Sequence, residues 1–197
     1  MTEKIKAEEL RIEKLEPKHK ELLISFQTSN KELKDFLVED ALKNHDIAVS
    51  TTYLWFYTPT NQLAAYTTLL TDSLRIGKTE LEKAFVDKGV LYKSLPALKI
   101  GRLCVDDKFK GKGIGTQTTY FVMSVLLSVT DYAGCRFIVL DAKPEAVEFY
   151  KKLGFQILKH GEIESTPMYY DMKEEIELYR KGNFKLSEHF LKIFRAL

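Results

Sequence analysis

The stretch from Leu98 to Thr116 constrains the fold more than any other part of the chain. Leu98 to Val105 is apolar enough for a strand. Three glycines then stand at alternate positions in Lys110-Gly111-Lys112-Gly113-Ile114-Gly115, and Phe121, Val122, Val125, Leu126 and Val129 follow as a helical stripe closed by Gly134. A strand therefore passes through a tight turn directly into a helix. Glycine lets a backbone turn sharply and approach a ligand closely. Several N–H groups of such a turn point one way, with a helix N-terminus behind them, which makes an anion site suited to phosphate or pyrophosphate. Read alone, the turn also fits a tight connection that holds nothing. Its spelling excludes two other phosphate loops. It lacks the Gly-Lys-Ser/Thr ending of a P-loop, and its glycine spacing departs from the dinucleotide fingerprint G-x-G-x-x-G.

The flanking segments supply the rest of a layered fold. Residues 10–16 alternate apolar and charged, as a half-buried strand does. Ser29-Asn30-Lys31-Glu32 reads as a capping box, opening a helix with Leu33, Phe36, Leu37 and Ala41 on its apolar face and an end near Asn44. Tyr53 to Tyr57 and Leu63 to Leu70, joined by Thr58-Pro59-Thr60-Asn61, predict an antiparallel hairpin. Glu80 to Asp87 reads as a short helix ended by Gly89, and Leu95-Pro96 as a break before the next strand. Cys135 to Asp141 is apolar enough for a strand covered on both faces. Pro144 opens a helix with Ala146, Phe149, Tyr150 and Leu153 on one side, ended by Gly154. Phe155 to Leu158 and Met168 to Met172 complete the strands. Residues 173–197 read as a helical extension interrupted at Gly182-Asn183, whose Phe190, Ile193, Phe194 and Leu197 pack on the domain or on a second copy. The order implies an α/β layer architecture with a mixed sheet.

Thirty basic and 28 acidic residues give a net charge of +2, so composition does not announce a nucleic-acid binder. The N-terminus lacks an apolar signal segment, and no apolar run approaches the ~20 residues of a membrane helix. With only two cysteines, Cys104 and Cys135, both in apolar stretches, the expectation is a cytoplasmic protein with buried free thiols and no membrane partner. His19, His45, His160 and His189 are scattered, and none stands at metal-ligand spacing, so no catalytic metal is expected.

The Gly-rich turn resembles the Q/R-x-x-G-x-G/A signature of the GNAT superfamily of N-acetyltransferases, with Lys110 in the Gln/Arg place and Gly113 and Gly115 in the small places. Phe149-Tyr150-Lys151-Lys152-Leu153-Gly154-Phe155 is similar to the family's second signature, a helical tyrosine followed by glycine and an aromatic residue. The resemblance is firmest over residues 98–172 and reaches back to about residue 10, giving a GNAT domain over 1–172 and an extension over 173–197. It implies a mostly antiparallel sheet with two splayed parallel central strands, one ending at Val105 and the other at Asp141, flanked by helices. It implies acetyl-CoA as acyl donor. The backbone of Leu103, Cys104 and Val105 would hold the pantetheine, and the amides of Gly111, Lys112, Gly113, Ile114, Gly115 and Thr116 the pyrophosphate, with Lys110 and Lys112 adding charge. Tyr150 would be the general acid for the leaving thiolate. Lys143 stands where the family often has an asparagine. No residue is diagnostic of a general base. Asp141, Asp106 and the histidines are candidates, Asp141 also fits a cap on the following turn, and water is an alternative. Cys104 reads as a buried thiol rather than a nucleophile.

Within the superfamily, the Leu33-x-x-Phe36-Leu37 helix and Ile100-Gly101-Arg102-Leu103-Cys104-Val105-Asp106 resemble a subgroup that includes acetyltransferase toxins acting on aminoacyl-tRNA. The acceptors left open are a small-molecule, amino-acid or peptide amine and an aminoacyl-tRNA. A lysine face of Lys108, Lys110, Lys112, Lys151 and Lys152 would serve the tRNA. A non-catalytic CoA-binding module and a homodimer through the C-terminal stretch also remain open.

Overall fold

The computed structural model describes residues 3–75, 83, 85–87, 89, 92–158 and 164–183. The described elements are strands β1 (Leu10–Lys14), β2 (Thr51–Tyr57), β3 (Gln62–Arg75), β4 (Ser94–Val105), β5 (Phe137–Ala142), β6 (Gln156–Ile157) and β7 (Thr166–Asp171), with helices α1 (Lys20–Ser25), α2 (Lys31–Asp35), α3 (Ala41–Asp46), α4 (Ile114–Val129), α5 (Val147–Lys152) and α6 (Lys173–Arg180). The strands form one sheet in the order β1-β2-β3-β4-β5-β7-β6. It is mostly antiparallel, with β4 and β5 parallel. The crossover between those two is the turn and helix α4, the connection a parallel pair requires. The described residues divide into two compact units, one drawn from 3–70 and 100–125, the other from the described parts of 71–99 and 126–183.

In the first unit, β1 pairs with β2 and β2 with β3, all antiparallel, with a bulge at Trp55/Phe56. Asn61, at φ +52°, makes the left-handed corner of the hairpin, a conformation asparagine tolerates better than most residues. Leu15, Leu23, Phe26, Leu37, Leu54 and Tyr66 form a buried cluster beneath this sheet, joined by Cys104. Lys34 crosses back to α1 and donates to the carbonyls of Leu23 (3.1 Å), Ile24 (2.6 Å) and Phe26. A cation there satisfies the unpaired carbonyls that any helix end leaves.

Several expectations shift. Asn30, rather than Ser29, caps α2, its Oδ1 accepting from the Leu33 N–H at 3.1 Å. The helical run continues past Asn44 through a π turn at Phe36–Asp40 to Asp46. Pro96 lies inside β4 rather than breaking it, and its carbonyl accepts from the Arg136 N–H. Residues 121–128 of α4 are buried on every side, not on one stripe. The hydroxyls of Thr118, Thr119 and Ser124 tolerate this because each donates to the carbonyl four residues earlier, at 3.0 Å.

In the second unit, β5 and β6 both pair antiparallel with β7. Leu74, Phe85, Leu95, Ala97, Phe137 and Val139 make its core. Arg136 grips Asp171 through two bonds of 2.7 and 2.6 Å and lies 4.6 Å from the Phe85 ring centre. Cys135 precedes β5 and is half-buried, so the buried thiol expected there is not found. The strand expected over Phe155–Leu158 is only Gln156–Ile157. Of the helix expected over 80–87, Lys83, Phe85 and Val86 are helical, and the C-terminal stretch beyond Asn183 lies outside the described residues, as do His160 and His189.

Candidate active site

In the first unit the site is built from the end of β4 and the turn after it. Asp106 is 3% exposed and anchors the turn. Its Oδ2 accepts from the Gln27 N–H (2.7 Å) and its Oδ1 from the Lys108 N–H (2.9 Å), while its own N–H donates to Ala64 at 2.9 Å. Both carboxylate oxygens are thus committed to backbone, and the general-base candidacy of Asp106 falls. Phe109, buried under Tyr57 at 5.6 Å between ring centres, pins the base of the turn. Gly111 and Gly113 then adopt φ +77° and +87°. Side chains rarely tolerate these values, which is why glycines stand there.

The Gln117 N–H donates to Gly113 at 3.2 Å, closing the first turn of α4. The N–H groups of Ile114, Gly115 and Thr116 belong to that turn and have no acceptor within the helix. Amides of this kind at a helix start are the donors that anions use. Lys110 leans back on Asp107 (2.5 Å) and Ser29 Oγ (3.3 Å), and the Asp107 carboxylate raises its pKa. Lys112 holds its ammonium 5.2 Å from the Phe109 ring centre.

Two residues of the loop's surroundings carry no sequence signal. Lys4 Nζ donates to the Gly111 carbonyl at 3.2 Å, and the Ile5 N–H donates to the Lys112 carbonyl at 3.0 Å. Both contacts join segments more than a hundred positions apart, so no local pattern could have announced them.

Leu103 and Val105 are half-buried and Cys104 is 6% exposed. Cys104 Sγ donates to Thr28 Oγ1 at 3.4 Å, and burial pushes its pKa up. A neutral, buried thiol is a poor nucleophile. Beside it, Arg102 donates to the Gly101 carbonyl (2.8 Å), approaches Glu32 (3.5 Å) and lies 5.1 Å from the Phe36 ring centre.

In the second unit, Tyr150 sits on α5, 7% exposed between Phe149 (4.9 Å between ring centres) and Phe155 (5.4 Å). Burial raises its pKa well above the ordinary tyrosine value. Among the described residues no group takes its hydroxyl. The helix stops behind it because Gly154 turns at φ +90°, and a Cβ there would lie 2.9 Å from the Tyr170 ring. The glycine and aromatic of the second signature therefore serve to turn and pack the chain just behind Tyr150.

The same unit holds a groove of about 580 Å³ lined by Asp72, Arg75, Lys99, Val139, Asp141 and Met168, among others. Lys99 bridges Asp141 (2.9 Å) and Asp72 (3.4 Å). Asp141 is therefore ion-paired, and among the described residues it makes no cap on the following turn. His19 is buried against Glu13 at 2.9 Å, and His45 Nδ1 accepts from the Thr52 N–H at 3.4 Å. Among the described residues no group of three His, Cys, Asp or Glu side chains could hold a metal, and no helix is long and apolar enough to cross a membrane.

The family model of the acetyltransferase (GNAT) domain matches residues 13–173. Among solved structures, AtaT complexed with acetyl-methionyl-tRNAfMet aligns at a TM-score of 0.74 and 26% identity, covering 86% of this chain and 99% of that one. AtaTR bound with AcCoA aligns at 0.71 and 27%, covering 88% and 99%. A tyrosine-to-phenylalanine mutant of KacT aligns at 0.73 and 23%, covering 86% and 99%, a likeness of fold alone. With the glycine turn, the seven-stranded sheet and a family match over most of its length, the chain belongs to the GNAT acetyltransferase family and is an N-acetyltransferase with acetyl-CoA as acyl donor.

Proposed function

We propose that the acceptor is the α-amine of an aminoacyl group carried on tRNA. One observation carries the reading. The chain spans 99% of AtaT at 26% identity, and the AtaT structure holds acetyl-methionyl-tRNA. In this reading the amides from Gly111 to Thr116 grip the diphosphate of the donor, and the backbone of Leu103, Cys104 and Val105 lines up its pantetheine arm. The acceptor nitrogen attacks as the neutral amine and forms the N–C bond at the thioester carbon, and the proton it must then shed to become an amide goes to water. The C–S bond breaks, Tyr150 gives its proton to the departing sulfur, and the phenolate takes a proton back from water. A raised pKa suits that task, because the phenol keeps its proton throughout the neutral range. Asp106 and Asp141 are both committed elsewhere, and in this reading water takes the proton.

The charge balance favours a second reading, a free or peptide amine. Net charge is only +2. Lys110 is neutralised by Asp107 and Lys151 by Glu148 (2.8 Å). Of the lysines that could meet RNA, two are therefore already paired.

Thiol release from acetyl-CoA separates the readings. Aminoacylated tRNA should support turnover that deacylated tRNA does not, and tRNA affinity should fall steeply between about 50 and 200 mM salt as counterions are released. Turnover with free amino acids or peptides at equal efficiency, and no salt-sensitive tRNA binding, would select the second reading.

A further inference from the structure

We infer that residues 3–6 form a strap that fixes the direction of the coenzyme-binding amides, with Ile5 and Lys4 as positioning residues. The inference rests on the acetyl-CoA reading of the Gly111–Thr116 loop. In a trans peptide the C=O and the following N–H point in opposite directions. The Lys112 carbonyl accepts from the Ile5 N–H at 3.0 Å, so the Gly113 N–H of the same peptide is turned away from the strap, toward the side where an anion would sit. The peptide before it is held at both ends. Its Gly111 carbonyl accepts from Lys4 Nζ (3.2 Å), and its Lys112 N–H donates to the Phe109 carbonyl (3.4 Å).

Such fixing matters at this place because Gly111 and Gly113 are the residues with the most backbone freedom. Gly113 lies under the strap, where an added Cβ would stand 3.4 Å from Lys4 Cδ. The strap itself is anchored. Ile5 is buried at 7% exposure, and the Lys6 N–H donates to the Glu9 carboxylate at 2.8 Å in the turn that leads into β1. Both fixing bonds end on carbonyls, so the strap leaves the Gly113 amide and the first-turn amides of α4 free for the ligand. Lys4 is exposed, so its bond is the weaker restraint, and the Ile5 amide carries most of the effect.

Two variants test this: deletion of residues 1–5, and Ile5→Pro in the full chain, which removes one N–H and keeps an apolar side chain. Isothermal titration with CoA should show Kd raised about tenfold in Ile5→Pro, the loss expected when one ordering hydrogen bond goes, and at least as much in the deletion, which removes both. The kcat at saturating acetyl-CoA should stay unchanged. With S-acetylpantetheine, which has no diphosphate, kcat/KM should match the full chain's, and a merely unstable protein could not produce that contrast. Wild-type CoA affinity in a folded Ile5→Pro protein, or equal losses with both donors, overturns the strap. If the full-length chain binds no CoA at all, it is the acetyltransferase reading of the loop that fails.

Discussion

Tyr150→Phe removes one oxygen from a site where the structure separates chemistry from stability. The ring is held by Phe149 and Phe155 and is retained in the variant. The hydroxyl has no partner among the described residues, so its removal strands no group among them. Folding stability should change by less than about 1 kcal/mol. Turnover should respond very differently. General acid assistance is typically worth ~10²–10⁴-fold, which is about 3–5 kcal/mol of barrier. The kcat for thiol release should fall by that factor, with the CoA Kd and the melting temperature nearly unchanged. The pH profile adds a sign. Burial disfavours the phenolate, so the proton is lost only above the ordinary tyrosine value of 10.0, and no alkaline limb from Tyr150 should appear below it. A Phe variant with full kcat, or a wild-type profile that loses activity through pH 8–9 and is flattened by the substitution, would refute the assignment.

Gly113→Ala should destabilise the chain by about 1–2 kcal/mol in denaturant titration, because φ +87° is costly for an L-residue. The same variant should raise the acetyl-CoA KM, and an unchanged KM would argue against the loop. Cys104→Ala should keep kcat within about twofold, since a buried neutral thiol cannot act as acyl carrier. Loss of turnover in a folded Cys104→Ala protein would point instead to a covalent intermediate.

Local pattern was enough for the glycine turn, the hairpin, the helix of Tyr150 and the glycine behind it. Each is dictated by residues within a few positions: a turn that only glycine permits, alternation that only a strand uses, an apolar face repeating at helical spacing. The expectations that shifted are those where the deciding partner is distant. Pro96 reads as a break, yet it stands inside β4 because a neighbouring segment takes its carbonyl. Asp141 reads as a cap or a base, and Lys99 from another strand claims it. Asp106 reads as a candidate base, and the backbone of Gln27 and Lys108 takes both of its oxygens. The strap on the glycine loop lies furthest from local pattern, since Lys4 and Gly111 are 107 positions apart. Sequence alone therefore determined where the glycine turn and the helix of Tyr150 stand in the fold. Tertiary structure decided which charged groups remain free and which way the loop's amides point, because ion pairs and carbonyl contacts depend on distance in space, and spacing along the chain does not encode it.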